Sequence, residues 1–403
     1  MSLKITKIEI FHVHTRPQSG QRPILVKVST DEGIYGLGEA GIAYGVGGSA
    51  AAGILKDYAA LLIGEDPFNT EAIWEKLFKK TFWGQGGGTV IFSGISAFDI
   101  AFWDIKGKAL NLPVYKLLGG KNREDLRVYA SQLQFGWGKE RKSKGRKEEY
   151  AEEALKAVAE GYDAVKVDVL AHDRNGSREG VFLEGPLPSE TIKIGVERVE
   201  AIRNAVGPDV DIIVENHGHT DLVSAIQFAK AIEEFNIFFY EEINTPLNPR
   251  LLKEAKKKID IPLASGERIY SRWGFLPFLE DRSIDVIQPD LGTCGGFTEF
   301  KKIADMAHIF EVTVQAHVAG TGVAEAASLH AEIAIPNFCI HEHHQKTLLP
   351  EYEELCVHNY QPVKGRYKVP ELPGIGQDIT EKLYQISDYV SIEASEGHHH
   401  HHH

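Results

Sequence analysis

Three glutamates, Glu215, Glu241 and Glu267, each close a short apolar run and stand 26 residues apart. The run before Glu215 (Val210, Ile212, Ile213, Val214) reads as a buried strand, and the interval to the next glutamate has room for one strand and one helix. The rhythm carries on through Asp290, His317 and Glu342. Helical stripes fill the gaps, among them Val196, Val199, Ile202 and Val206, then Leu222, Ile226, Ala229 and Ile232. Strands are predicted to end near Ser131, Asp168, Glu215, Glu241, Ser265, Gln288, Gln315 and His341. Strict strand and helix alternation with eight strands predicts an α/β (β/α)8-type barrel, whose working side chains sit where the strands end.

The first 125 residues lack this rhythm and are expected to form an α+β capping domain. Ile24, Val26 and Val28 alternate with polar residues and lead through Asp31–Gly33 into IYGLGEA, an antiparallel hairpin. Three helices follow, marked by Ile54, Tyr58, Leu61 and Leu62, by Ile73, Leu77 and Phe78, and by a segment from about Ser93 to Leu110. Loops at His14–Pro23, with its Gly, Pro and Ser content, at the Gly-rich Gly41–Gly48 and at His172–Pro188, rich in Gly and charge, are expected to cover a substrate mouth, with Arg16 and Tyr44 near it. The barrel is assigned to residues 126–370, and residues 371–395 are expected to return to the capping domain. Residues 396–403, ending in six histidines, read as an expression tag.

A formal net charge of −13 disfavours nucleic acid and anionic membrane as partners. No apolar run reaches the roughly 20 residues of a membrane span and no signal peptide precedes Lys4, so a cytoplasmic protein is expected. Cys294, Cys339 and Cys356 have no paired spacing, which suits a reducing compartment and argues against zinc.

Read together, the strand ends make one constellation. Three carboxylates converging from neighbouring strands would repel one another without a cation, and an all-oxygen cage suits Mg²⁺, which keeps open positions for water and substrate. Asp290, one unit before His317, can raise the basicity of that imidazole, which makes His317 a candidate general base. His217, two residues beyond Glu215, is expected to share its direction and to act as the acid for a leaving hydroxide. Trp83, Trp103, Tyr270 and Trp273 read as core or domain-interface residues.

The stretches AFDIAFWDIKGKALNLPVYKLLGG (Ala97–Gly120), PLASGERIYSRWGF (Pro262–Phe275) and IQPDLGTCGG around Asp290 resemble the enolase superfamily, in particular its mandelate racemase-like branch and the acid-sugar dehydratases within it. The resemblance covers nearly the whole chain. It implies Glu215, Glu241 and Glu267 as Mg²⁺ ligands, Asp290 and His317 as the base dyad, and Glu342 as an eighth-strand acid that meets the substrate carboxylate. It also implies His217 as the leaving-group acid and a small-molecule sugar acid as substrate. Lys166 is expected to add positive charge at the developing enediolate. Racemases of this branch carry two lysines on the second strand; Lys166 and Asp168 stand here instead, which favours dehydration over a racemase, epimerase or cycloisomerase. A silent sugar-acid-binding relative is the non-enzymatic alternative. The imidazoles of HEHH (His341–His344) are expected to line the mouth, and a homo-oligomer is expected from the relatives.

Overall fold

The computed structural model describes residues 2–15, 21–42, 44–178 and 183–394. Arg16, part of the 172–188 loop and the tag therefore lie outside the described residues. The chain begins with β1 (Ile5–Val13), β2 (Ile24–Thr30) and β3 (Tyr35–Ala40), then α1 (Gly48–Leu62), α2 (Thr70–Phe78), α3 (Thr89–Leu110) and the short α4 (Val114–Leu117). Strict alternation follows: β4 (Leu126–Ala130), α5 (Lys147–Ala159), β5 (Ala164–Val167), α6 (Ser189–Val206), β6 (Asp211–Glu215), α7 (Leu222–Ile232), β7 (Ile237–Glu241) and α8 (Pro249–Lys258). It continues through β8 (Leu263–Ser265), α9 (Ser271–Asp281), β9 (Val286–Ile287), α10 (Gly296–Ile309), β10 (Thr313–Val314), α11 (Gly322–Ile333) and β11 (His341–His343). The last elements are α12 (Pro350–Glu353), β12 (Arg366–Tyr367), α13 (Glu381–Gln385) and β13 (Ser387–Glu393).

β4 to β11 lie side by side in parallel, and β11 pairs back onto β4 (His341 opposite Val128). Val314 N–H donates to Asn337 O and Cys339 N–H to Val314 O, both at 2.8 Å, which joins β10 to the approach to β11 and closes the ring. This is the (β/α)8 barrel with an α+β cap that the acid rhythm predicts. Strand side chains alternate faces. Val165, Ile212, Val214 and Tyr240 therefore pack outward among the helices, while Tyr129, Ala164, Ile213, Phe239 and Ile340 fill the barrel interior as a separate core. Two residues further along the same inward face come Ser131, Lys166, Glu215, Glu241 and Glu342, all buried. An apolar floor thus carries a charged layer above it.

The cap is a four-stranded antiparallel sheet in the order β13-β1-β2-β3, with the chain's last strand paired to β1 from Lys7 opposite Glu393 to Val13 opposite Ser387. Its glycines serve close packing: a Cβ at Gly38 would lie 1.8 Å from Ala97 O, so α3 rests directly on β3. Buried carboxylates then lock cap to barrel. Asp99 accepts from Thr298 N–H (3.0 Å) at the start of α10, while Asp104 accepts from Leu37 N–H within the cap and from Ile375 N–H of the returning C-terminal segment, both at 2.9 Å. Glu39, from β3, accepts from Thr321 N–H (3.0 Å) and Ala324 N–H (3.2 Å) at the N-terminus of α11, where orphan backbone donors favour an anion.

Of the four singled-out aromatics, Trp103 packs against Phe297 and donates to Thr298 Oγ1, and Tyr270 accepts from Thr89 Oγ1–H at 2.6 Å. Trp83 is a correction: it is 80% exposed, because it lies in the turn after α2, where Phe82 packs against its ring. No helix among the described residues is long and apolar enough to cross a membrane.

Candidate active site

Glu215, Glu241 and Glu267 converge at the mouth of the barrel, each offering a carboxylate oxygen within 4.8 Å of the others. Octahedral Mg²⁺ with oxygens at about 2.1 Å holds its ligands roughly 3 to 4 Å apart, so the glutamates fit with a slight inward movement. Their outer oxygens are oriented by neighbours, as metal ligands require. Gln132 Nε2 donates to Glu215, and Gln288 Nε2 donates to Glu241 at 2.6 Å. Lys166, 1% exposed, reaches both oxygens of Glu241 at 3.0 Å, Glu342 at 2.5 Å and Glu215 at 3.6 Å. Burial opposes its charge, but the three carboxylates together hold it well above the ordinary lysine range. Burial and the charge of Glu215 push Glu241 up despite the ammonium, whereas Glu342, also buried, is held low by Lys166 and His344.

Two aspartate–imidazole pairs flank this set. His317 Nδ1 lies 2.8 Å from Asp290 Oδ2, and its Nε2 faces Glu267 at 3.1 Å. His217 Nδ1 lies 2.7 Å from Asp168 Oδ2, and its Nε2 faces Glu215 at 3.2 Å. In each pair the aspartate holds Nδ1–H, which leaves Nε2 as the working atom turned toward the glutamates. Burial opposes protonation of both rings. The carboxylates outweigh it: Glu215 and Asp168 bring His217 to about 10, and Glu267 and Asp290 raise His317 well above the ordinary range. Against burial, His317 and His217 in turn hold Glu267 low.

His217 arrives by a route other than strand alternation. β6 ends at Glu215, and His217 takes a left-handed backbone (φ 50°) that folds its ring back between Glu215 and Asp168. Gln132 after β4 (φ 71°) and Glu242 after β7 (φ 54°) are left-handed as well, an expense for non-glycine residues. Gly218 follows at φ 68°, a conformation that favours glycine, and a Cβ there would lie 2.0 Å from Arg268 Nη2, which would have to shift. Arg268 pairs with Glu242 at 2.8 Å, and so is occupied in an ion pair.

Sequence reasoning passed over Asp168 as a site residue. The signal was its place two residues beyond Lys166; its carboxylate orients His217 much as Asp290 orients His317. Gln132 and Gln288 were also missed, because nothing about an isolated glutamine marks it. The expectation for HEHH needs correcting. His341 and His343 point outward by the two-residue period and bind Glu332 (2.5 Å) and Glu325 (2.8 Å) of α11; only His344, 3.5 Å from Glu342, lines the mouth. The cap contributes Tyr44, whose hydroxyl donates to Glu267 at 3.3 Å, and Gln21. Together these residues enclose a cavity of about 440 Å³ containing Lys166, Glu215, Glu267, His217, His317 and Glu342.

Residues 149–383 match the family model described as enolase C-terminal domain-like, and residues 5–119 match the mandelate racemase / muconate lactonizing enzyme N-terminal domain. The chain belongs to the enolase superfamily. A solved member of the superfamily from Salmonella Typhimurium is 55% identical, with a TM-score of 0.95 over 97% of this chain and 100% of that one. The D-xylonate dehydratase of Haloferax volcanii is 33% identical over 376 residues, 91% of this chain and 86% of its own length. The D-mannonate dehydratase of a Sphingomonas species is 31% identical over 384 residues, 90% and 91% of the two chains. Within the superfamily's architecture, the two matched models correspond to the cap and to the barrel.

Proposed function

We propose that this protein is an Mg²⁺-dependent dehydratase of an acid sugar, an aldonate or aldarate, giving a 2-keto-3-deoxy acid. The observation that carries the reading is the pair of aspartate-held imidazoles on either side of three converging glutamates. The names of the dehydratase relatives support it. Glu215, Glu241 and Glu267 would hold Mg²⁺, which would supply the concentrated positive charge that makes a proton α to a carboxylate removable. Once the glutamates' charge is committed to a cation, Asp290 alone holds the proton on His317, and Nε2 becomes free to take the α-proton. His217 follows the third barrel strand and His317 the seventh, so the two rings approach from opposite sides. His217, whose Nδ1–H is held by Asp168, delivers a proton from Nε2 to the departing β-hydroxyl, which leaves as water. The enol left behind tautomerises to the ketone. Lys166, paired with Glu342, supplies positive charge at the carboxylate end of the substrate.

Two imidazoles facing one another across a barrel would also serve two-base epimerisation. Incubation with Mg²⁺ and a panel of pentonates, hexonates and hexarates in deuterated water separates the readings. A 2-keto-3-deoxy product is expected. Exchange or inversion at the α-carbon without a keto product would establish the epimerase. In the His317→Asn protein exchange should vanish, and retained exchange would remove His317 as the base. No turnover across the panel, together with no effect of Glu241→Gln on Mg²⁺ binding, would end the dehydratase reading.

A further inference from the structure

Part of the cavity's lining is cationic. Arg141, Arg178 and Lys346 line the same 440 Å³ space as His217 and His317. Among the described residues, none of the three forms an ion pair with a carboxylate. Arg141 and Arg178 instead both lie over one ring, Phe135, at 4.4 and 5.6 Å from its centroid. Lys346 is 5% exposed; its ammonium donates to Gln21 Oε1 (3.0 Å) and Ala319 O (2.8 Å), which leaves the third of its N–H donors. Burial and the nearby charge of Arg141 push Lys346 down to about 7, so an arriving anion would restore its charge.

The placement is fixed by the backbone rather than by the charges. Lys142 N–H donates to Phe135 O at 2.8 Å, which pins the segment carrying Arg141 beneath the ring. The buried Arg198 donates to Val169 O, His172 O and Asp173 O at 2.6 to 2.8 Å and anchors the start of the loop that carries Arg178. Like charges assembled in a partly desolvated cavity cost free energy unless an anion joins them. The planar guanidinium of Arg141 suits bidentate capture of a carboxylate.

We propose that Arg141, Lys346 and Arg178 form a second carboxylate subsite, so that the substrate is a diacid sugar, an aldarate, held at both ends. One carboxylate lies at the glutamate and Lys166 wall, and the other lies at the Phe135 wall. This rests on the acid-sugar reading for its first end and names the second. A charge-assisted contact of this kind is worth about ten- to a hundredfold in affinity.

The test titrates the Mg²⁺-loaded protein calorimetrically with matched pairs: galactarate and galactonate, glucarate and gluconate, mannarate and mannonate, plus 6-phosphogluconate. Keto product is followed in parallel. At least one hexarate should bind about tenfold or more tightly than its aldonate. Arg141→Met and Lys346→Met should each erase most of that advantage, and Arg141→Lys should keep part of it. Equal binding within pairs, or no hexarate binding, overturns the proposal. Tighter binding of 6-phosphogluconate than of every hexarate overturns it too, by making phosphate the anion. Hexarates bound with the stated dependence but never converted would sink the dehydratase reading and leave the subsite. Aldonates converted while hexarates neither bind nor react would do the reverse.

Discussion

Replacing Lys166 by Met keeps most of the side-chain volume and removes the cation shared by Glu215, Glu241 and Glu342. One contact at 3.0 Å is worth about 5 kcal/mol at an effective dielectric near 20. Desolvation of the ammonium takes back part of this, and removing one partner from a buried charge cluster costs about 3 to 5 kcal/mol net. We expect Lys166→Met to lose that much stability in metal-free buffer at pH 8, measured by chemical denaturation. Glu241 is already raised by burial and by Glu215, and without the lysine its folded-state pKa rises further. A carboxyl raised on folding stabilises below its unfolded pKa and loses that contribution as pH rises, so the deficit should shrink toward pH 5. Mg²⁺ at about a hundred times its dissociation constant should return roughly 3 kcal/mol, and it should stabilise the variant more than the wild type. A variant within about 1 kcal/mol of wild type at pH 8 without divalent ions would refute the electrostatic account.

Asp168→Asn should leave α-proton exchange in deuterated water near wild type while slowing keto-acid formation by about ten- to a hundredfold, because His217 loses the carboxylate that keeps it protonated. Equal loss of both would assign Asp168 a general structural role. Glu39 is pushed up to about 7 by burial, against the hydrogen bonds from Thr321 and Ala324. Its contribution to stability is therefore present below about pH 4.5 and lost as pH rises through 7, in total about 3 kcal/mol at roughly 1.4 per pH unit. Denaturation curves of Glu39→Gln between pH 4.5 and 8 should lack that slope; an unchanged slope would place it elsewhere. Gly38→Ala puts a methyl 1.8 Å from Ala97 O and should cost more than about 3 kcal/mol or prevent folding, read by circular dichroism and melting. A normal melt would mean that α3 does not rest on β3.

The barrel was legible because its signal is periodic. Apolar runs ended by titratable residues at regular intervals leave few other ways to bury the strands and gather the acids, and eight such units close a ring. The cap's hairpin and its three helices were legible from alternation and stripes for the same reason. Glu215, Glu241, Asp290, His317 and Glu342 could be singled out from one dimension, because a strand end is a place the sequence marks. Folding decided what lies off that register. His217 faces the glutamates through a left-handed turn that no alternation predicts, and Asp168 meets it only across the gap between two strands. His341 and His343 looked like mouth residues but point outward to Glu332 and Glu325, a consequence of which face β11 buries. The cationic wall of Arg141, Arg178 and Lys346 comes from three loops far apart in the chain. Periodicity is local, so the sequence by itself determined the scaffold and which strand ends carry charge. Pairing between charges depends on distances set by long-range packing, so only the tertiary structure decided which imidazole meets which aspartate, and which wall of the cavity awaits an anion.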